Sequence, residues 1–390
     1  MHAERRFRSL WCLALLVVTV TASGFAVRGD AAWVWRSGGL EAKELPVRPL
    51  LAPPQDQLIL LRNPAGGVVV VPRRQPKAKS TFAQPSAWMI SSPDAIPTQI
   101  RLPDGTGDIV AAAYSRDRLC LLSPPDIIVV GPGDEVALRT AAGSVEMFFN
   151  RYPQVGLPIG EHPWHFGDDN GWLWFGDSFV GVCASVVPAN ERSPYFPEGR
   201  LPFRARWFET WSMAVDSSGR GAYVYGQTSL GTLRSTLVKW TASESPDTVL
   251  PTLGFEELSE DIPALASPCM TVDANGNIWL AGYDASGVVV MRITDEAIAD
   301  VSPEAAVIGG ARITDLAVFD GWVYAVTDAR GVIRFSGGRW EQDPVNTLLP
   351  KVRHSDIRPV NAVAVNTAGN LWVTSGPNLI CRESIQLDAG

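Results

Sequence analysis

Met270-Thr-Val-Asp273-Ala-Asn-Gly276-Asn-Ile-Trp279-Leu-Ala-Gly282 can be written above Val363-Ala-Val-Asn366-Thr-Ala-Gly369-Asn-Leu-Trp372-Val-Thr-Ser375 without a gap. Met213-Ala-Val-Asp216-Ser-Ser-Gly219-Arg-Gly-Ala-Tyr223 fits with one residue inserted. Leu316-Ala-Val-Phe319-Asp-Gly321-Trp-Val-Tyr324 fits with one removed, and His165-Phe-Gly-Asp168-Asp-Asn-Gly171-Trp-Leu-Trp174 fits again. Each copy reads as strand, tight turn, strand. Asp or Asn with Gly supplies the left-handed conformations that a hairpin turn needs. The aromatic residue and its apolar neighbours suit the second strand.

Outward from these copies, a third strand recurs as Gly287-Val-Val-Val-Met-Arg-Ile293, Gly331-Val-Ile-Arg-Phe335 and Asn378-Leu-Ile-Cys-Arg382. A short polar-aromatic stretch such as Gly337-Gly-Arg-Trp340-Glu then closes the unit. A weaker form occupies the N-terminal part. There Asp56-Gln-Leu58-Ile-Leu-Leu61 with Val68-Val-Val-Val71 matches Asp117-Arg-Leu119-Cys-Leu-Leu122 with Ile127-Ile-Val-Val130. Val215, Val272, Val318 and Val365 stand 57, 46 and 47 residues apart. Four short strands in about 40–50 residues is the signature of a propeller blade. Units begin near residues 45, 108, 161, 210, 268, 313 and 360. The expected fold is therefore all-β: a single β-propeller of about seven four-stranded blades, with six or eight also compatible. A linear solenoid needs polar capping repeats, and none is visible. The last unit is short of an outer strand. Trp33-Val-Trp35-Arg-Ser37 has strand character, so it is expected to pair near residues 378–387 and close the ring, which leaves no open sheet edge.

Composition agrees. The chain has 390 residues, 46% of them hydrophobic, and Gly 35 with Pro 30 makes about one residue in six a helix breaker. Fourteen Trp and fourteen Phe supply the apolar mass of a packed core. A formal charge of −8 argues against nucleic acid as a partner.

Residues 1–26 read as an export segment. Arg5, Arg6 and Arg8 precede an uncharged run from Leu10 to Val27, and small residues follow at Ala22, Gly24 and Ala26. This is the layout of a cleaved signal peptide. The alternative is an uncleaved signal-anchor, since the run is just long enough to span a bilayer. The protein is thus expected outside the cytoplasm, periplasmic or secreted, with contact to a membrane only if the segment stays attached. Residues 33–390 form the propeller domain. Cys120, Cys183, Cys269 and Cys381 are widely spaced with no Cys-x-x-Cys pair, so they are read as buried free thiols rather than disulfides or metal ligands.

Asn277-Ile-Trp279-Leu-Ala-Gly282 and Asn370-Leu-Trp372-Val-Thr resemble the Gly-Asn-Leu-Trp-Val-Gly-Thr core of two-component-regulator propeller repeats. Similar repeats occur in streptogramin-lyase-like propellers. The resemblance covers the chain well from about residue 268, fairly over 161–230, and poorly before 150. It implies the propeller blade and is nearly silent about function.

In a propeller, the loops that enter each innermost strand share one face with those joining the second strand to the third. On that face the chain offers His162, Trp211, Arg312, Asp315, Arg353, His354 and Asp356 as candidate binding residues. No catalytic residue is assigned. His162-Pro-Trp164-His165 invites a metal or general-base reading with Asp168 or Asp169, but the blade alignment puts those acids at the opposite face. Asp273-x-Asn275-x-Asn277 lacks the glycine position and distal Glu of a calcium loop, so it is read as turn chemistry. No cofactor and no metal is expected. The expectation is a non-catalytic exported propeller binding a protein, peptide or glycan through the loop-rich face around the channel. The alternative is an extracytoplasmic lyase or hydrolase acting in the channel mouth.

Overall fold

The repeated turns show why these residues make hairpins. The Asp273 amide donates to the Asn277 carbonyl at 2.9 Å, and Gly276 closes the turn on Asp273 at 3.0 Å with φ +82°. The Asp273 carboxylate accepts the amides of Asn275 and Asn277 at 2.9 and 3.0 Å and the Trp279 indole at 3.3 Å. Asn366 repeats this, accepting from the Ala368 and Asn370 amides at 3.0 and 2.9 Å. In the shortened copy Phe319 pairs with Trp322 across Asp320 (φ +47°) and Gly321 (φ +76°), a two-residue turn with both central residues left-handed. The missing residue of the alignment is this tighter turn, and the calcium-like spacing is turn chemistry.

The structure is a computed structural model. It describes residues 33–37 and 40–44 and, with internal gaps, 58–141, 165–186, 204–243 and 252–383. Among the described residues the strands form six four-stranded sheets, each an antiparallel meander, and one five-stranded antiparallel sheet that joins strands from the two ends of the chain. Blade I comprises Leu58–Arg62, Val68–Pro72, Ser86–Ile90 and Thr98–Arg101. Blade II runs from Ala111–Ser115 through Arg118–Ser123 and Asp126–Val130 to Val136–Ala141, and blade III from His165–Asp169 through Trp172–Asp177 and Gly181–Val186 to Arg204–Arg206. Blade IV holds Glu209–Val215, Gly221–Gln227, Thr236–Ser243 and Thr252–Ser259. Blade V holds Ala266–Val272, Ile278–Asp284, Gly287–Ile293 and Ile298–Asp300. Blade VI holds Ile313–Phe319, Trp322–Thr327, Gly331–Ser336 and Arg339–Gln342. The terminal sheet is ordered, from the inside outward, Ala362–Val365, Leu371–Ser375, Asn378–Arg382, Leu40–Glu44 and Trp33–Ser37. The architecture is an all-β propeller.

Two expectations are corrected. Six sheets, not about seven, are four-stranded. Trp33–Ser37 does not meet the last strand: it pairs with Leu40–Glu44, and the pairs Glu41 with Cys381, Ala42 with Ile380 and Lys43 with Leu379 place the second segment beside Asn378–Arg382. The sequence Gly38-Gly39 between the two segments is of the kind two-residue hairpins use, so the first segment stands one strand further out.

The core lies between blades. Tyr223, Trp279, Tyr324 and Trp372 occupy equivalent second-strand positions, opposite Ala214, Thr271, Ala317 and Ala364. Each packs toward the following sheet. Tyr223 meets Leu280 and Met291 of blade V. Trp279 meets Val323, Ala325 and Ile333 of blade VI, with Phe335 at 5.4 Å between ring centres. Tyr324 meets Val363, Val365 and Val373 of the terminal sheet. Trp372, fully buried, meets Leu58, Leu60, Val70, Trp88 and Ile90 of blade I, bringing the last sheet against the first. The small residue opposite each aromatic leaves room for the ring.

One ion pair is embedded in this packing. Arg382 and Asp343 are 3% and 1% exposed. The Arg382 Nε lies 3.2 Å from Asp343 Oδ1, and its Nη2 donates to Oδ2 at 3.3 Å and to the Tyr324 hydroxyl at 3.4 Å. Asp343 also accepts the Val345 amide at 2.8 Å, starting a 3-10 turn over Pro344–Thr347. The pair joins the outer end of blade VI to the terminal sheet.

Candidate functional site

The innermost strands begin, and the second strands end, at one end of the ring, here called the upper face. Three successive blades carry an irregularity there. The register of the first strand shifts by one residue between Thr210 and Ser212, between Ala266 and Cys269, and between Ile313 and Asp315. Ser267 within the second bulge has φ +47°. Bulges of this kind re-aim side chains at sheet ends.

Trp211 occupies the first bulge. It is half-buried and meets Tyr225 edge-on, with ring centres 5.4 Å apart and planes at 71°. The Tyr225 hydroxyl donates to the Pro263 carbonyl at 2.6 Å and accepts the Leu265 amide at 2.9 Å, and burial pushes this phenol's pKa up. Trp211 is thus part of the packing between blades IV and V.

Arg312 is exposed. Its backbone is clamped to the end of the second strand: its amide donates to Asp328 Oδ1 at 2.9 Å, and the Asp328 amide donates to its carbonyl at 3.0 Å. Its guanidinium sits 4.9 Å above the Tyr283 ring of blade V, a cation–π contact that fixes its direction.

Asp315 follows the third bulge and is half-buried. Oδ1 accepts the Leu316 amide at 2.9 Å, and Oδ2 accepts the Val363 amide of the terminal sheet at 3.0 Å. Thr314 adds a second tie, donating to the Val360 carbonyl at 2.9 Å. Burial pushes the Asp315 carboxyl up to about 6, although both amides and the Arg73 charge pull it down. The same pocket raises the Cys269 thiol well above its usual value, first by burial and then by the Asp315 charge, so it stays protonated and unreactive. Burial lowers the Arg73 guanidinium, with Asp315 opposing. Sequence reading placed Asp315 on this face but missed its grouping with Arg73 and Cys269, which come from blades I and V.

Titration of Asp315 has a stability consequence. A folded-state value near 6, against an ordinary value of 3.8, means that the native state holds the proton more tightly. Stability from this group is complete below the ordinary value and is lost as pH rises through 6. The expected loss between pH 4 and 7 is about 2–3 kcal/mol. Asp315→Asn keeps one acceptor and removes the titration. Urea unfolding across that range will show a wild-type slope that the variant lacks, and parallel curves would refute the assignment.

Asp356 is exposed and pairs with Lys351 Nζ at 2.7 Å. That bond and charge hold its carboxyl below the usual range, with Arg358 and Arg330 adding to the effect. His162, Arg353 and His354 lie outside the described residues. His165 opens the innermost strand of blade III, while Asp169 pairs with Trp172 at the turn end, so strand geometry separates the histidine from the acids. Cys120 and Cys381 are buried and Cys269 is half-buried, and none of the three is in a disulfide among the described residues, whereas the Cys183 side chain lies outside the described set. Among the described residues no group of three His, Cys, Asp or Glu is placed to hold a metal ion. No helix among them is long and apolar enough to cross a membrane.

No protein-family model and no curated protein matches the chain. Solved structures do match. The extracellular domain of the one-component system BT4673 from B. thetaiotaomicron aligns over 90% of this chain with a TM-score of 0.51 and 10% identity; the alignment spans 41% of that longer chain. YCF48 bound to D1 peptide aligns over 92% of this chain and all of that one, with a TM-score of 0.54 and 11% identity. The blade-motif resemblance to two-component-regulator propellers is thus accompanied by likeness to the BT4673 extracellular domain. At these identities the likeness shows the fold alone: the chain is a β-propeller.

Proposed function

We propose that the protein is an exported, non-catalytic propeller that holds a segment of another protein against its upper face. The observation that carries this reading is the fixed backbone of that face. Thr314 and Asp315 tie blade VI to the terminal sheet, Tyr225 and Ser235 tie blade IV to the segment leading into blade V, and Ser375 ties the terminal sheet to Pro359. Loops held this way present polar and cationic groups without further ordering, which lowers the entropic cost of binding. YCF48, of like fold, is bound to a D1 peptide, which supports a peptide-binding use of such a ring. In this reading Leu40–Glu44 and Trp33–Ser37 complete the outer part of the terminal sheet.

The test is position-specific photo-crosslinking of the full chain in its native envelope. A crosslinker at Ser286, in a second-to-third-strand turn, will capture one protein. The same group at Asn275, at the opposite face, will not. Capture from position 275 alone, or from neither, overturns the proposal.

A further inference from the structure

The seam between blades V and VI on the upper face holds an arginine that is fixed from two sides and open on a third. The Arg312 backbone is clamped to Asp328 in both directions, and its guanidinium sits over the Tyr283 ring, 4.9 Å from the ring centre. Tyr283 is half-buried and lies on the same side of its strand as Trp279, which faces blade VI. One flat side of the guanidinium rests on the ring. Arg312 is exposed, so the other flat side faces solvent.

The strand beside this stack leaves it open. Ala266 pairs with Tyr283, and its small side chain adds no wall beside the ring. The bulged strand presses onto Gly282, where an added Cβ would stand 2.7 Å from the Leu265 side chain and 3.2 Å from the Ala266 carbonyl oxygen. The next residue, exposed Ser267, holds φ +47° inside a strand. Asp320, the other non-glycine with positive φ among the described residues, sits in a two-residue turn that favours it. No such turn surrounds Ser267, and backbone held in this region gathers at places where ligands bind.

Charge selects the occupant. Among the described residues no carboxylate forms an ion pair with the Arg312 guanidinium, but the Asp328 carboxylate stands beside the Arg312 amide. Arg330, packed against Gly309, acts on the Asp356 carboxylate through space. Asp284 accepts the Ser286 amide and hydroxyl at 2.7 and 2.6 Å. Acidic groups thus match the basic ones here, and a carboxylate gains little from the place. What stays uncovered is the flat, weakly hydrated side of a guanidinium, which aromatic rings cover well.

We propose that an aromatic side chain of the bound segment stacks on the open side of Arg312, so that the guanidinium lies between that ring and Tyr283. The segment runs over Ala266 and Ser267, which stand exposed beside the stack. An aromatic ring is rigid and brings a large contact area at low ordering cost, and aromatic and arginine side chains commonly dominate protein interfaces. This rests on the peptide-binding reading above and adds the place and the chemistry of one anchoring residue.

The test presents the purified full chain to arrays of peptides about nine residues long, with mixed flanks and a fixed central residue. Peptides centred on Trp, Tyr or Phe will be retained, and those centred on Leu, Asp or Lys will be held about fivefold less. Arg312→Lys keeps the charge and the backbone clamp but loses the flat surface. It will lower retention of the aromatic peptides by a similar factor while its melting temperature stays at the wild-type value. Retention by the wild type will survive about 1 M sodium chloride, which screens charge pairs beyond about 3 Å. Full retention by Arg312→Lys, equal retention of Leu-centred or Asp-centred peptides, loss in salt, or no retention at all overturns the proposal. If Ser286 crosslinks a partner but retention does not follow the ring and Arg312, this anchor fails and the binding propeller stands. If neither experiment finds a partner, both fail.

Discussion

Cutting Asp343 back to alanine will destabilise the fold by about 3–5 kcal/mol, the usual result of removing one member of a buried ion pair. The cost comes from what is left behind. Arg382, 3% exposed, keeps its charge but loses both carboxylate oxygens, and the Tyr324 hydroxyl at 3.4 Å and the Tyr324 ring are what remain beside it among the described residues. The 3-10 turn also loses the acceptor for the Val345 amide. Arg382→Met acts from the other side: it strands the Asp343 carboxylate with Arg334 Nη1 at 3.9 Å as its remaining cation. The informative variant is the double, Asp343→Leu with Arg382→Met. It removes both charges and replaces them with apolar volume, so its cost in urea unfolding will be clearly smaller than the sum of the single changes. Additive losses would show that the two groups do not act as a pair.

Trp372→Ala carries a cost of the same size, about 3–5 kcal/mol, for a different reason. The Trp372 ring is fully buried among Leu58, Leu60, Val70, Trp88 and Ile90 of blade I, residues far away in sequence. Deleting it leaves a cavity at the junction of the last sheet with the first, lined by rigid strands that cannot collapse into it. Its indole nitrogen has no hydrogen-bond acceptor among the described residues. Trp372→Phe, which keeps most of the ring and drops only that N–H, will therefore cost much less than Trp372→Ala. Equal losses by chemical denaturation would contradict a packing origin.

How much of this was legible in the sequence depends on the distance over which each feature acts. The hairpin motif is local: Asp273, Gly276 and Trp279 lie within seven residues and settle their turn among themselves, so the blades from 210 onward could be read directly. Blade I does carry an Asn–Gly turn, in which the Asn63 amide donates to the Gly67 carbonyl at 3.3 Å and the Gly66 amide to the Asn63 carbonyl at 2.9 Å, but its second strand, Val68–Pro72, has no aromatic residue, so its strands and those of blade II were read only as apolar runs. The makeup of the terminal sheet was harder still, since it depends on pairing between Lys43 and Leu379, a choice that no local pattern makes. The upper face divides in the same way. Arg312 and Asp315 were found because blade alignment fixes their height on the ring. Arg73 was missed because its charge acts on Asp315 from a different blade, a relation that no local pattern shows. Trp211, read as a candidate for the mouth with packing as the alternative, is half-buried, and a bulge turns it onto Tyr225, a contact no local pattern announces. The Asp343–Arg382 pair joins two sheets and leaves no trace in either repeat.

The ordered placement of Tyr223, Trp279, Tyr324 and Trp372 has one more consequence. Every described interface that holds one of them is head-to-tail: an aromatic on one sheet enters the face of the next. A surface that repeats this way ends only by meeting its own beginning. A chain stopped after Gln342 therefore exposes the Tyr324 face at one end and the Leu58–Val70–Ile90 face at the other, both apolar and both shaped for a neighbouring sheet. Copies of such a fragment will join end to end into growing fibres rather than persist as open rings. Completing the last sheet is thus what covers both of these faces at once and finishes the core.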